Sequence, residues 1–175
     1  MNFYEQENNK TVLKTREIIR ELPEFCNEFF LDLNQNTLPK TRMGYAYDLR
    51  VFFNFLVTEN KEFLGRDIKS LTLDDLQKIK VVDINQFMDY LAYYVSDEDS
   101  QLYSNGENGK ARKLAAVRKL FKYFYRTEKI SSNPAELTIT PKRHEKEIVR
   151  LEPNEVAEML DRKWFKSDIK AKGIL

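Results

Sequence analysis

The chain has 175 residues, 42% hydrophobic and 13% aromatic, with only 5 Gly and 5 Pro. That is enough for one packed domain, or one domain and the start of another, and it excludes a wholly disordered chain. The single Cys, Cys26, rules out an internal disulfide, and "MNFYEQENNK" lacks the apolar stretch of a signal peptide. No apolar run approaches the roughly 18 residues of a membrane span, so a cytoplasmic protein with no membrane partner is expected.

Net charge is +1, but residues 1–107 carry −7, residues 108–150 carry +8 and residues 151–175 are balanced. A local cationic field of that kind argues for an anionic partner. The scarcity of Gly and Pro favours long helices, and every strong hydrophobic period along the chain is helical.

In chain order, Thr11 to about Arg20 reads as a short leading helix. A second helix is expected near 22–33. Pro23 falls in its first turn, and Phe25, Cys26, Phe29, Phe30 and Leu33 repeat at three- and four-residue spacing. "NQNT" breaks it.

The third helix, 39–58, buries Leu49, Phe52, Phe53 and Leu56, with Tyr45 on the same stripe and Thr37 or Thr41 as its cap. Lys40 and Arg42 stand at its start, where the macrodipole favours acids. A nearby phosphate would offset that mismatch.

"LTLDDLQKI" reads as a short helix capped by Thr72, with Asp74 and Asp75 in its first turn. A helix over 83–96 follows, with Asp83 and Gln86 resembling a capping box and Phe87 and Leu91 turned inward. "SDEDSQLYSNGENG" is a polar loop.

The segment "GKARKLAAVRKLFKYFYR" is the most informative. On a helical wheel started at Lys110, residues Leu114, Val117, Phe121, Phe124 and Tyr125 fall within roughly 60° of one another's centre. Arg112, Lys119, Lys122 and Arg126 gather at roughly 120–200°, with Arg118 between the two groups. A helix over 109–127 would therefore pack one face and present a cationic stripe on the other. No acid stands within the stripe to pair with it. Lys129, Lys142, Arg143, Lys146 and Arg150 continue the positive charge into "SSNPAELTITPKRHEKEIVR", an extended basic linker. "LEPNEVAEML" then starts a further helix at Pro153. These readings give an all-α fold with four main helices and no sheet. Phe29, Leu49, Phe52, Phe53, Leu56, Phe87, Leu91, Val117, Phe121 and Phe124 are expected to be buried.

The order of these elements resembles the N-terminal, SAM-like core-binding domain of the tyrosine recombinase (phage integrase) family. The residues that carry the resemblance are "TRMGYAYDLRVFFNFL", "DINQFMDYLAYY", "RKLAAVRKLFKYFYRTEKISSNPAE", Pro141-Lys142 and "RLEPNEVAEML". The resemblance implies a small orthogonal bundle of four to five helices. It also implies an N-terminal arm over 1–21, a DNA-binding domain over 22–130, the linker over 131–150 and the truncated beginning of a catalytic-type domain over 151–175. It implies that the helices starting near Lys40 and Lys110 face duplex DNA. By position, the contacts would be Lys40, Thr41 and Arg42 on the first helix, with Tyr45 assigned to the core instead. On the second they would be Arg112, Lys113, Ala116, Lys119 and Lys122, and Lys142 and Arg143 would touch DNA from the linker. Further recombinase protomers on the DNA are the other implied partner, in integration and recombination of mobile elements.

Catalysis is not implied for these residues. The family's nucleophilic Tyr and its Arg, Lys and His set belong to the C-terminal domain. Here the only His, His144, is followed by Glu-Lys-Glu rather than the family's His-x-x-Arg, and "DRKWFKSDIKAKGIL" departs from the family pattern. "GENGK" is not a P-loop, since its spacing is short and no strand precedes it. No cofactor, metal or small-molecule substrate is expected. The alternative reading is a helical protein-interaction domain whose cationic stripe is only a solvated face.

Overall fold

The computed structural model describes residues 3–95 and 100–141. Lys142, Arg143, His144 and the helix expected from Pro153 lie outside the described residues. The described residues fold into seven helices, a 3-10 turn and one two-residue strand pair. The helices are α1 (Phe3–Ile19), α2 (Cys26–Asn36), α3 (Pro39–Thr58), α4 (Leu73–Lys78), α5 (Val81–Tyr90), α6 (Glu107–Arg126) and α7 (Pro134–Leu137).

The centre of the bundle is α3. On one side it packs against α1, and on others against α2, α5 and α6. Pro39 at its first position pre-sets the helical backbone, and an unbroken apolar stripe carries it to Thr58. Ten core residues were expected and all ten are buried, from Phe29 to Phe124. Their rings interlock edge to face: Phe52 lies 5.1 Å from Phe87 of α5 and 6.5 Å from Phe121 of α6, centroid to centroid. Phe25 touches Phe53 and Phe124 at 5.9 and 5.5 Å. Removing a phenylalanine such as Phe52 to Ala would cost about 3–5 kcal/mol at a packed site of this kind. Tyr45 is half-buried against the core, as its stripe position requires.

Several expectations are corrected. The leading helix starts eight residues earlier than Thr11, at Phe3, within the segment read as an arm. Its inner face is built from Thr11, Thr15 and Ile18, so the apolar period is muted. The two buried hydroxyls are satisfied by carbonyls of their own helix, Thr11 Oγ1 donating to Glu7 O at 2.8 Å and Thr15 Oγ1 to Thr11 O at 2.7 Å.

The helix expected over 83–96 starts at Val81 and ends at Tyr90. Asp83 is its third residue rather than its cap, and its carboxylate accepts from the Lys80 amide at 2.7 Å. Past Leu91 the chain turns and Tyr94–Val95 (β1) pairs antiparallel with Leu102–Tyr103 (β2), so a small sheet exists where none was expected. Tyr90, Tyr94 and Tyr103 stack along this pair at 5.3 and 5.7 Å.

Neither Thr37 nor Thr41 caps α3, because Leu38 occupies that position without a side-chain bond. Thr72, by contrast, caps α4 as expected. Its hydroxyl accepts from the Asp75 amide at 3.3 Å, while Asp75 Oδ2 accepts from the Thr72 amide at 3.0 Å.

The end of α6 is a tight reversal. Glu128 takes a positive φ of 58°, its amide donates to Tyr125 O at 3.1 Å, and the Lys129 amide reaches back to Phe124 O at 2.9 Å. This closes the last carbonyls of the helix in a Schellman arrangement.

Candidate functional site

The helix α6 carries two chemistries on one shaft. Leu114, Val117, Leu120, Phe121 and Phe124 are buried, while Arg112, Ala115, Lys119, Lys122 and Arg126 are exposed. The exposed set repeats at spacings of three and four residues and forms a ridge about 21 Å long at 1.5 Å rise per residue. Ala115, which the sequence reading passed over, is the small residue in the middle of the ridge. Its signal was its wheel position, about 140° from Lys110.

Two of the ridge cations are paired across the bundle, which the sequence reading did not foresee. Arg112 Nη2 donates to Asp48 Oδ1 of α3 at 2.8 Å, and Arg126 Nη2 lies 3.5 Å from Asp32 Oδ1 of α2. Lys119 and Lys122 make no ion pair with any described residue.

Two expected contacts are withdrawn from the surface. Ala116 is 0% exposed, so its methyl is packed inside the bundle. Lys113 is buried too, and its ammonium turns inward to donate to Asn105 Oδ1 at 2.9 Å, 3.9 Å from Asp48 Oδ1. Burial holds the Lys113 ammonium below the ordinary lysine range, with Asp48 pulling the other way. Burial likewise raises the Asp48 carboxyl, against the opposing pull of Arg112 and Lys113.

Asn105 ties this corner together. Its amide and its Nδ2 both donate to Leu91 O at 3.2 Å, which joins the end of α5 to the start of α6. Gly109 leaves room for it, since a Cβ there would stand 2.8 Å from Asn105 Oδ1. Beside this corner lies an open groove of about 680 Å³, lined by Tyr47, Asp48, Arg50, Tyr94 and Arg112 among others. Arg50 sits 5.1 Å over the Tyr47 ring and 3.1 Å from Glu21.

On α3, Lys40 and Thr41 are exposed in the first turn. Arg42 is half-buried and donates to Thr37 O. These three lie about 10 Å along α3 from Asp48, where Arg112 meets the helix.

At the other end of α6, Glu28 of α2 accepts from Tyr123 Oη at 2.8 Å and pairs with Lys129. Lys129 and Tyr123 hold the Glu28 carboxyl below its ordinary value, while burial first and Glu28 second push the Tyr123 phenol up to about 12. Among the described residues no group of three or more His, Cys, Asp or Glu is placed to hold a metal ion. Nor is any described helix long and apolar enough to cross a membrane.

The fold and this surface define an all-α bundle with a cationic ridge on its last long helix. Comparison with known proteins supplies the lineage: the chain is an N-terminal domain of the tyrosine recombinase family. It is 34% identical over 128 residues to tyrosine recombinase XerC of Caldanaerobacter subterraneus subsp. tengcongensis, covering 69% of this chain and 33% of that protein. It is 34% identical over 134 residues to tyrosine recombinase XerC of Chlorobaculum parvum, covering 77% of this chain and 35% of the relative. A third XerC, from Leptospira interrogans serovar Lai, is 26% identical over 151 residues, 81% of this chain and 42% of its own length. The chain thus spans about a third to two fifths of the curated relatives it matches. No family model and no solved structure matches it.

Proposed function

We propose that this chain is the core-binding, DNA-binding module of a site-specific tyrosine recombinase. Its partner is duplex DNA, with further recombinase protomers assembled on the same DNA, and its setting is DNA integration and recombination. The observation that carries the reading is the exposed ridge Arg112–Ala115–Lys119–Lys122–Arg126 on one face of α6, in a chain of this family.

Lys119 and Lys122 lead the binding, because no described acid competes for them. Arg112 and Arg126 join through the donors that Asp48 and Asp32 leave open, since a guanidinium has five. Lys40, Thr41 and Arg42 form the second patch, and Lys142 and Arg143 the linker contacts. Residues 22–130 form the binding unit, 131–150 the linker and 151–175 the beginning of a catalytic-type domain. The module binds and positions DNA, and strand cleavage is no part of the role proposed for it.

Binding carried by phosphates weakens steeply with salt, with a log–log slope of about −0.9 per phosphate neutralised. The test is titration of the chain with duplex DNA at several salt concentrations. Lys119→Ala and Lys122→Ala should each flatten the slope by about one unit. Lys14→Ala, on α1 and 3.3 Å from Glu17, should leave it unchanged. If the wild-type chain shows no salt-dependent binding, or Lys14→Ala weakens it as much as Lys119→Ala, the ridge is a solvated face and the protein-interaction reading replaces this one.

A further inference from the structure

Arg112 differs from the other cations of the ridge in what holds it. Its Nη2 donates to Asp48 Oδ1 at 2.8 Å, and that carboxylate is 2% exposed while the Arg112 side chain is 61% exposed. Arg126 also meets an acid, but at 3.5 Å and with Asp32 itself 37% exposed, so water competes for that pair. Lys119 and Lys122 pair with no described acid.

A buried carboxylate has two effects on the arginine it holds. It orients the guanidinium plane, because its own position is set by the packing of the bundle. It also cancels much of the arginine's charge, since a group several ångströms away meets a dipole rather than a full positive charge. Lys113 shares Asp48 only at 3.9 Å and spends its ammonium on Asn105. Phosphate binding rewards net charge and asks little of direction, which suits the two unpaired lysines. A base edge is neutral and rewards donors held in a plane. The N–H groups that Asp48 leaves on Arg112 suffice for two parallel bonds.

The surface around Arg112 also suits close approach. Ala115 is the next exposed residue of the ridge, and its methyl lets the helix backbone come near a partner. Lys113 and Ala116 are turned into the bundle, so neither holds the partner off. Lys119 and Lys122 follow about 10 and 15 Å further along the axis. The major groove of B-DNA is about 12 Å wide. A helix seated in that groove by its Arg112–Ala115 end would bring the two lysines to the bordering phosphates.

We propose that Arg112 is the base-reading residue of the ridge, donating to O6 and N7 of a guanine in the major groove, and that Asp48 is the positioning residue that aims it. This deepens the DNA-binding reading and rests on it. Asp48 is too buried to touch DNA and acts through Arg112 alone. Lys119 and Lys122 supply affinity for any sequence, and Arg112 supplies the choice among sequences.

The test exposes the full 175-residue chain to a pool of duplexes with a randomised central segment and sequences the bound fraction. The wild type should enrich a guanine at a fixed position, Lys119→Ala should keep that preference, and Arg112→Ala should lose it. Replacing the enriched guanine by 7-deazaguanine removes its N7 acceptor and leaves the base pair intact. Wild-type binding should then weaken by about fivefold or more, and binding by Arg112→Ala by less than about twofold. Arg112→Ala should flatten the salt slope by less than about half a unit, against about one unit for Lys119→Ala. Arg112→Ala leaves Asp48 with Lys113 as its counter-charge, so the bundle should survive it.

Asp48→Asn reads the positioning role, made alone and with Lys113→Met, and far-UV circular dichroism selects the form that keeps the bundle. It should weaken the guanine preference and steepen the salt slope by up to about one unit, as the released guanidinium turns to a phosphate. A merely structural tie between α3 and α6 would move neither, and that result would sink the role of Asp48. Salt-dependent binding without guanine enrichment, or enrichment that survives Arg112→Ala, would overturn the base-reading role and leave the DNA reading standing. Absence of salt-dependent binding by the wild type would remove both.

Discussion

Asp48 is the residue whose loss tests the architecture of the site most severely. Its carboxylate is 2% exposed and faces two cations, Arg112 at 2.8 Å and Lys113 at 3.9 Å. The Arg112 side chain is 61% exposed, so its share of the pairing is screened and worth about 1 kcal/mol or less. Lys113 is different. At 7% exposure it depends on Asp48 for its counter-charge, and without it keeps only the Asn105 carbonyl. Removing one partner of a buried pair costs about 3–5 kcal/mol, because the remaining charge is left uncompensated. A lysine's flexible stem allows some escape toward water, which places Asp48→Ala near the lower end, about 3 kcal/mol. In thermal unfolding that is a fall of about 6–12 °C for a chain of this size.

The assay is urea unfolding at neutral pH, followed by circular dichroism, on Asp48→Ala, Lys113→Met and the double variant Asp48→Leu with Lys113→Met. The double variant should lie within about 1–2 kcal/mol of wild type, since a buried pair replaced by apolar groups loses its desolvation cost as well as its attraction. Burial depresses the Lys113 ammonium, so the penalty in Asp48→Ala should also shrink as the pH rises and Lys113 gives up its proton. If Asp48→Ala is within 0.5 kcal/mol of wild type by this assay, or loses as much in the Lys113→Met background, the buried pair is not what joins α3 to α6.

The remaining predictions concern the C-terminal end of α6, one of them through the acid side of the stability curve. Glu28 is held below its ordinary value of 4.5 chiefly by Lys129 and then by Tyr123, so its ionised form favours the fold. Its contribution is present above pH 4.5 and lost as the pH falls through the lower folded value, and the stability gap between wild type and Glu28→Gln should close over that range in urea titrations. Glu128→Gly should stabilise the chain by about 1 kcal/mol, because glycine takes the left-handed conformation at 58° without a Cβ penalty. An unchanged or lowered unfolding midpoint would show that the Glu128 side chain contributes more than its backbone strain costs.

Much of the bundle was legible in the sequence because its largest side chains recur at helical spacing. The bounds of α3 were readable to the residue, from Pro39 to Thr58, since a helix-starting proline and an unbroken aromatic stripe mark both. The end of α5 was not. Ala92-Tyr93-Tyr94-Val95 continues the apolar composition, yet its aromatic and β-branched residues pair with Leu102–Tyr103, a partner that no local window contains. The first two turns of α1 were hidden for a different reason: from Phe3 to Lys10 the sequence is almost wholly polar and shows no apolar period. For the candidate site, the ridge was readable and its pairing was not, because Asp48 and Asp32 are 64 and 94 residues from the arginines they meet. Lys113 was misjudged for another reason: the wheel itself places it about 60° from the apolar centre, and only the family resemblance turned it outward.

The bundle's aromatic core has a mechanical consequence for the helix that carries the ridge. Phe121 and Phe124 are fully buried, with Phe52 of α3 against the first and Phe25 of the turn before α2 against the second. Bending α6 at this point would open the aromatic core between α3 and the turn before α2. The exposed Lys119 and Lys122 therefore keep their spacing as long as the aromatic core stays closed.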